Sequence, residues 1–167
     1  MLRKHKLTFK KVKIMKKNKG IEMLNKLITI NNDRMEGYEV ISELTKESSL
    51  KILFLHLANT SKKCKLELIQ IMNALGESAI VQKTKESGEF FRIWIKVKAA
   101  LNSREHRRIL NSCYFGENKA KKIYEKAIEN ELYYLNAELK HILINQEQLL
   151  TNDRDLIKLL SKNIELK

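Results

Sequence analysis

The scarcity of chain-breaking residues constrains the fold more than any other feature of this sequence. Its 167 residues include no proline and only five glycines, whereas a β-rich domain of this size needs turn residues every ~8–12 positions. Long proline-free stretches rich in Leu, Ile, Lys and Glu favour α-helices. With 43% hydrophobic residues, the chain can bury the core of one domain. The sequence therefore predicts a single all-α domain.

Apolar residues that recur at spacings of three and four define the helices. In the first long segment, Leu24, Leu27 and Ile28 fall on one helical face. Gly76 stands where a glycine commonly ends a helix. A Thr-Asn-Asp run at residues 151–153 is a candidate interruption of the last helix. The predicted segments are four long helices and one short one, over about residues 21–44, 50–75, 89–101, 104–129 and 132–150.

The lengths of the links between these segments predict the topology. Short links join the first two long helices and the last two, so each pair is expected to form an antiparallel hairpin. About 28 residues, including the short helix, separate the two hairpins, which is enough to run the length of a bundle. Two hairpins joined by one long crossover are the connectivity of ferritin-like folds. The predicted fold class is therefore an all-α, ferritin-like four-helix bundle.

The net charge of +13 is concentrated at the N-terminus. The first 20 residues contain nine of the 33 Lys and Arg residues and no acid, which leaves 24 basic against 20 acidic residues in the rest of the chain. They show no apolar period, so we expect residues 1–20 to be a disordered basic tail and residues 21–167 to be the bundle. Met15 and Met23 are candidates for a later translation start. The basic residues of the tail are Arg3, Lys4, Lys6, Lys10, Lys11, Lys13, Lys16, Lys17 and Lys19.

Such a tail has one concrete binding interpretation. Mobile cations can neutralise phosphates and release counterions, which predicts non-specific, salt-sensitive nucleic-acid binding. The chain has no apolar run near the ~18 residues of a membrane span and no secretory signal pattern, so no membrane association is expected. Two isolated cysteines, Cys64 and Cys113, fit a reduced compartment. The predicted location is the cytoplasm.

The most distinctive run in the sequence is Asn-Asn-Asp-Arg-Met-Glu-Gly-Tyr, at residues 31–38. It resembles an uncharacterised bacterial family of ferritin-like four-helix-bundle proteins that has no assigned function. The resemblance covers roughly residues 23–150 and implies a fold but no activity. Gln146 departs from the family pattern, which has a histidine there. The other matching positions are Leu24-Asn25, Ser61, Glu67-Leu68, Trp94, residues 98–101, Gly116-Glu117 and Tyr124-Glu125.

The resemblance also raises the question of a ferritin-type metal centre. In such a centre two helices each supply a Glu, and the other two each supply a Glu-x-x-His pair. On the first hairpin the glutamate position of the ferritin pattern is occupied by Asn31. Thr60 and Lys63 stand at the Glu-x-x-His positions, where neither is a usable ligand. The first hairpin is therefore expected to contribute no metal ligand.

The second hairpin keeps residues of the ligand type. Glu117 falls on a ligand position, and Glu138 and His141 form a literal Glu-x-x-His. These three could hold one iron or manganese ion, but not the bridged metal pair that oxygen chemistry requires. The alternative is that Glu138 and His141 belong to the solvated face of a Lys-rich helix. Glu117, Glu138 and His141 are thus a candidate metal site, and no other cofactor is expected.

Asn31 and Tyr38 lie in the apolar stripe of the first helix and are predicted to be buried polar residues. An unpaired buried amide costs about 1–3 kcal/mol, so Asn31 is expected to hydrogen-bond across the bundle, with Tyr38 as a candidate partner. No catalytic residue is predicted. The functional expectation is a non-catalytic bundle that self-associates or binds a protein partner. The alternatives are nucleic-acid association through the tail and a residual metal or redox site.

Overall fold

The computed structural model describes residues 2–81, 88–103, 105–130, 136 and 138–164, with side chains from Val12 onward except those of Glu89 and Ile164. These residues form an all-helical bundle of five helices and contain no strand. None of the described helices has the length and apolar character needed to cross a bilayer. The helices are α1 (Leu2–Leu44), α2 (Ser48–Ala74), α3 (Glu89–Asn102), α4 (His106–Glu129) and α5 (Leu139–Ile164).

The predicted boundaries of α2 and α3 are confirmed to within one or two residues. After α2 the chain turns at Gly76, whose φ is +73°. Glycine adopts this left-handed region readily because it has no Cβ, which is why it so often ends a helix. α4 begins two residues later than the sequence predicted, at His106.

The N-terminus differs from the prediction. α1 begins at Leu2 instead of near residue 21, so the backbone of residues 2–20 continues the first helix. Leu and Lys are good helix formers, and a helix that has nucleated propagates by one hydrogen bond per added residue. Gly20 alone does not stop it. The 43 residues of α1 span about 65 Å at 1.5 Å per residue.

The last helix also differs from the prediction. α5 begins at Leu139, and residues 132–135, where it was expected to begin, lie outside the described residues. The Thr-Asn-Asp run at residues 151–153 does not interrupt α5, which continues to Ile164. Asp153 points into the bundle and is buried, so its polar side chain finds partners there without ending the helix.

Side-chain contacts fix the directions of the long helices. α1 packs along α2, and α4 packs along α5. Lys17 of α1 lies 2.9 Å from Glu77, just beyond the end of α2, so these two helices are antiparallel. Ser161 near the end of α5 bonds to Asn111 near the start of α4 over 3.1 Å, so this pair is antiparallel as well. Each pair is therefore a helical hairpin.

The short helix α3 packs on the outside of the bundle against α4 and α1. Its Trp94 meets Tyr38 of α1 edge-on, with ring centroids 4.9 Å apart. The indole also lies over Gly37, where a Cβ would come within 1.9 Å of Trp94 Cε2. Only glycine leaves room for this contact, so the Gly37-Tyr38 pair is the place where α3 is seated on α1.

Candidate functional site

Three polar side chains lie on the inner face of α1. Asn31, Arg34 and Tyr38 are spaced by three and four residues, which places them on one face of the helix, and none is more than 1% exposed. Burying a guanidinium is costly unless its charge and its N–H groups are paired. The neighbouring helices must therefore supply partners for Arg34.

Glu117 of α4 is the main partner of Arg34. Arg34 Nε donates to Glu117 Oε1 over 3.1 Å, and Nη2 donates to Oε2 over 2.7 Å. The Tyr38 hydroxyl donates to Glu117 Oε1 over 2.6 Å, and Arg34 Nη1 donates to Asn31 Oδ1 over 2.9 Å. Both carboxylate oxygens of Glu117 are thus engaged in a buried bidentate pair, the strong form of a charge-assisted hydrogen bond.

A chain of hydrogen bonds continues from Asn31 across the bundle. Asn31 Nδ2 donates to the Tyr124 hydroxyl over 2.6 Å and to the Leu27 carbonyl over 2.9 Å. The Tyr124 hydroxyl donates to Gln146 Oε1 over 2.7 Å. Gln146 Nε2 in turn donates to Glu67 Oε2 over 2.8 Å. Because these residues come from α1, α4, α5 and α2, the bonds connect all four long helices.

Asp153 of α5 completes the cluster around Arg34. Its Oδ2 lies 3.6 Å from Arg34 Nη2, which is an ion-pair contact but too long for a hydrogen bond. Its Oδ1 lies 2.9 Å from Nε2 of His56, an exposed residue of α2. Oδ2 has no hydrogen-bond partner among the described residues. We use the name central network for the buried residues Asn31, Arg34, Tyr38, Glu117, Tyr124, Gln146 and Asp153.

Burial and pairing shift the pKa values of titratable groups in the central network. Burial alone would lower the pKa of Arg34, but the charge of Glu117 and the hydrogen bonds to it raise that pKa above its ordinary value. Burial and the charge of Glu117 raise the pKa of Tyr38, so the phenol remains a donor. Burial raises the pKa of Asp153 to about 6; Glu117 adds to this shift, and Arg34 and His56 oppose it.

The structure separates the three residues of the candidate metal site. Glu117 is buried in the middle of α4, whereas Glu138 and His141 lie at the start of α5 with exposed side chains. Asp153 of α5 lies at about the same height along the bundle as Glu117 of α4, because both side chains contact Arg34. His141 precedes Asp153 by twelve residues, or about 18 Å along the helix axis at 1.5 Å per residue. Glu117 is therefore not brought together with Glu138 and His141.

No group of three His, Cys, Asp or Glu side chains within the described ranges could hold a metal ion. Neither of the two residues at the Glu-x-x-His positions of the first hairpin points to a metal site. Thr60 Oγ1 donates a hydrogen bond to the His56 carbonyl over 3.3 Å, and the side chain of Lys63 is exposed. Glu117 falls on a ligand position of the ferritin pattern, and its cationic partner is the guanidinium of Arg34. The central network thus contains its own cation.

Asn31 and Tyr38 are buried as predicted, but Asn31 bonds to Tyr124 rather than to Tyr38. Sequence reasoning missed Arg34 and Asp153, the two charged residues beside Glu117. The spacing of these residues indicated their burial, since Arg34 lies three residues after Asn31 and four residues before Tyr38, and both of those were predicted to be buried. Asp153 likewise continues the apolar spacing of α5. A charge at a core position should have suggested a charge of opposite sign on a facing helix.

The basic residues near the N-terminus lie on α1 instead of on a mobile tail. Lys13, Lys16, Lys17 and Lys19 have exposed side chains, and Lys17 forms the ion pair with Glu77 described above. These lysines are presented on a helix, at the end of the bundle where α2 finishes. The side chains of Arg3, Lys4, Lys6, Lys10 and Lys11 lie outside the described residues.

Both cysteines are free thiols buried in the core. Burial raises the pKa of Cys64 to about 12 and raises the pKa of Cys113 well above its ordinary value. Because the thiolate is the reactive form, neither residue is suited to nucleophilic or redox chemistry, and both act as small core side chains.

The fold and the site together define an all-helical bundle with a buried, charged network at its centre. A family model described as Domain of unknown function (DUF2383) matches residues 19–130, about two thirds of the chain. The chain therefore belongs to this family. A search of curated proteins gave no match. The matched range includes Arg34, Tyr38 and Glu117 and ends before Gln146 and Asp153.

Proposed function

We propose that this protein is a ferritin-like four-helix bundle that acts without catalysis, by association with a second copy or with a protein partner. One observation carries the non-catalytic part: both carboxylate oxygens of Glu117 bond to Arg34, and Tyr38 adds a third hydrogen bond. Glu117 could become a metal ligand only if it broke its ion pair with Arg34. The buried guanidinium of Arg34 would then lose its main partner, which is energetically costly.

The directions of the helices support the ferritin-like part of this proposal. Near the end of α2, Glu77 lies beside the start of the bundle portion of α1. At the opposite end, His106 of α4 lies 2.7 Å from Glu47, just before α2 begins. The link between α2 and α4 must therefore travel the length of α2. A single long crossover between two hairpins is the ferritin-like connectivity.

Exposed apolar side chains support association with a second copy. Ile52 of α2 is 70% exposed, and Leu159 of α5 is 57% exposed. The contact between His56 and Asp153 brings these parts of α2 and α5 side by side. Exposed apolar surface that extends over neighbouring elements commonly marks an interaction site, and identical faces that pair across a two-fold axis form a closed dimer.

The mass of the protein in solution tests this proposal. We expect light scattering at increasing protein concentration to show a dimer, and Ile52→Lys or Leu159→Lys to give a folded monomer. Ile80→Lys is the matched control, because Ile80 is 61% exposed but lies in the link after α2; it should leave the dimer intact. A wild-type protein that stays monomeric up to millimolar concentration would overturn self-association.

Nucleic-acid association is a second candidate, favoured by the exposed lysines on the N-terminal part of α1. We expect fluorescence anisotropy to show binding to duplex DNA that weakens steeply with salt, because cations on phosphates release counterions. Changing Lys13, Lys16 and Lys19 together to Gln should weaken it. Changing Lys62, Lys126 and Lys158, which are exposed on the bundle, is the matched control. Binding that is insensitive to salt would exclude this mode.

A residual metal or redox role is the third candidate, and iron titration tests it. We expect elemental analysis and an anaerobic ferrous titration to give no stoichiometric iron or manganese. A metal near one per chain that is lost in Glu138→Ala or His141→Ala would restore this candidate. We further propose that the protein is bacterial, from its family resemblance, and cytoplasmic, because Cys64 and Cys113 are free thiols and a reduced compartment keeps them so.

A further inference from the structure

The contact between His56 and Asp153 joins a solvent-exposed base to a buried acid. The side chain of His56 is 55% exposed and that of Asp153 is 4% exposed. The two side chains meet at 2.9 Å between α2 and α5, which belong to different hairpins. Beyond this acid lies the centre of the bundle, since Asp153 Oδ2 is 3.6 Å from the guanidinium of Arg34. The imidazole of His56 therefore connects bulk water to the central network.

The buried charges of the central network do not balance when all acids are ionised. Arg34 contributes one positive charge, and Glu117 and Asp153 contribute two negative charges, all three with side chains at most 4% exposed. Tyr38, which also faces this cluster, is neutral because burial raises its pKa. The thiols of Cys64 on α2 and Cys113 on α4 and the Tyr124 phenol are also near it, and burial likewise raises the pKa of each and keeps it neutral. Glu67 of α2, which accepts a hydrogen bond from Gln146, is only half-buried, so its charge is not part of the buried excess.

The excess negative charge is located at Asp153. Glu117 has both oxygens bonded to Arg34, whereas Asp153 has one oxygen on His56 and one with no hydrogen-bond partner among the described residues. An unbalanced buried charge costs free energy, and proteins relieve the cost by taking up a proton or by adding a counter-charge. Both routes are open here, because a proton can reside on Asp153 or on His56.

We propose that His56 and Asp153 form a proton-linked latch between the two hairpins, which binds one proton and thereby neutralises the central network. A proton on His56 gives an ion pair with the Asp153 carboxylate. A proton on Asp153 gives a neutral carboxyl group that donates to the imidazole. In either form the contact between α2 and α5 persists and the excess charge is gone, so acidification tightens the junction and alkalinisation weakens it.

The direction of the pH dependence distinguishes this latch from an ordinary buried salt bridge. Burial raises the pKa of Asp153 from its ordinary value of 3.8 to about 6. An acid whose pKa is higher in the folded state stabilises the fold fully below its unfolded pKa, and this contribution is lost as the pH rises to its folded pKa. If Arg34 chiefly stabilised the ionised form of Asp153, the pKa of Asp153 would be lowered instead. The fold would then become more stable as the pH rises.

Urea unfolding of the full chain and of Asp153→Asn, followed from pH 5 to pH 7.5, tests the latch. The amide of this variant keeps an acceptor for His56 without the charge, so we expect the unfolding equilibrium constant of the wild type to rise about tenfold relative to the variant over this range. A ratio that falls as the pH rises would overturn the proposal, and so would a ratio that stays constant. Glu47→Gln is the control, because Glu47 makes the same type of contact with His106 at the surface.

Carbon-13 NMR of the wild-type carboxyl groups tests the latch without any variant. We expect the midpoint of the Asp153 carboxyl to lie near 6, well above its ordinary pKa value of 3.8. An Asp153 midpoint at or below 3.8 would show that Arg34 holds the carboxylate ionised, and the latch would not exist.

Discussion

Glu117 and Glu138 are glutamates of the second hairpin that both match a ferritin-type ligand pattern, yet they lie in opposite environments. Glu117 is buried in the middle of α4, and Arg34 and Tyr38 occupy its oxygens. Glu138 is exposed at the start of α5, and so is His141 one turn further on. The middle of the bundle is a closed network, whereas the start of α5 is ordinary solvated helix surface.

The comparison shows that the position of a residue around its helix decides its role more than its chemical type does. Glu117 shares the core phase of α4 with Cys113 and Ala120, so its charge had to be neutralised inside the protein. His141 lies off the core phase of α5, which Leu139, Leu143 and Gln146 define. A pattern of Glu-x-x-His is therefore informative only when its phase agrees with the apolar stripe.

Arg34→Met should have the largest effect, because it leaves Glu117 as an unpaired buried charge. We expect a loss of about 3–5 kcal/mol in the free energy of unfolding, measured by urea denaturation. Arg108→Met is the matched control, since Arg108 pairs with Glu105 at the surface and such pairs contribute little. Similar losses in the two variants would mean that the buried ion pair contributes no more to stability than the surface ion pair does.

Tyr38→Phe tests the third hydrogen bond to Glu117. A hydrogen bond to a charged group contributes about 1.5–3 kcal/mol, and we expect a loss of that size because the phenol is buried with the carboxylate. Tyr114→Phe is the control, as Tyr114 is half-buried on α4 and lies outside the central network. If both variants lose the same small amount, the Tyr38 hydroxyl is not stabilising the charge of Glu117.

Gly37→Ala tests how α3 supports the network from outside. The new Cβ would lie 1.9 Å from Trp94 Cε2, so the indole must move away from Tyr38, at a cost of about 1–3 kcal/mol for overpacking. In Gly116→Ala the new Cβ would lie 3.5 Å from Ile93, an ordinary contact. We expect that control to gain about 0.5–1 kcal/mol from helix propensity. Thermal unfolding of the two variants should therefore shift in opposite directions.

Glu138→Ala and His141→Ala should have the smallest effects. Both side chains are exposed, and surface substitutions of this kind usually change the free energy of unfolding by less than about 0.5 kcal/mol. Urea denaturation of each single variant and of the pair would show this. A destabilisation comparable to that of Arg34→Met would contradict the assignment of these residues to a solvated surface.

The sequence predicted the features that depend on periodicity. Helix α2, its end at Gly76 and the burial of Asn31 and Tyr38 all followed from apolar spacing and glycine placement. It did not predict that α1 would continue through its first 20 residues, because the sequence there shows no apolar period. Nor did it predict the pairing of Arg34 with Glu117, 83 positions apart, since which faces of α1 and α4 meet depends on how the helices pack.

A double-mutant cycle on Arg34 and Glu117 is the most direct test of the claim that the bundle is closed by its own ion pair. Arg34→Met should cost about 3–5 kcal/mol in the free energy of unfolding, because it leaves the buried Glu117 carboxylate without its cation. Glu117→Leu should cost less, because Arg34 loses both hydrogen bonds to Glu117 but keeps its contact of 3.6 Å with Asp153. The double variant removes both charges, so we expect it to be at least about 2 kcal/mol more stable than the sum of the single losses implies. Additive losses would show that Arg34 and Glu117 do not stabilise each other, and Arg34 would not be the group that neutralises Glu117.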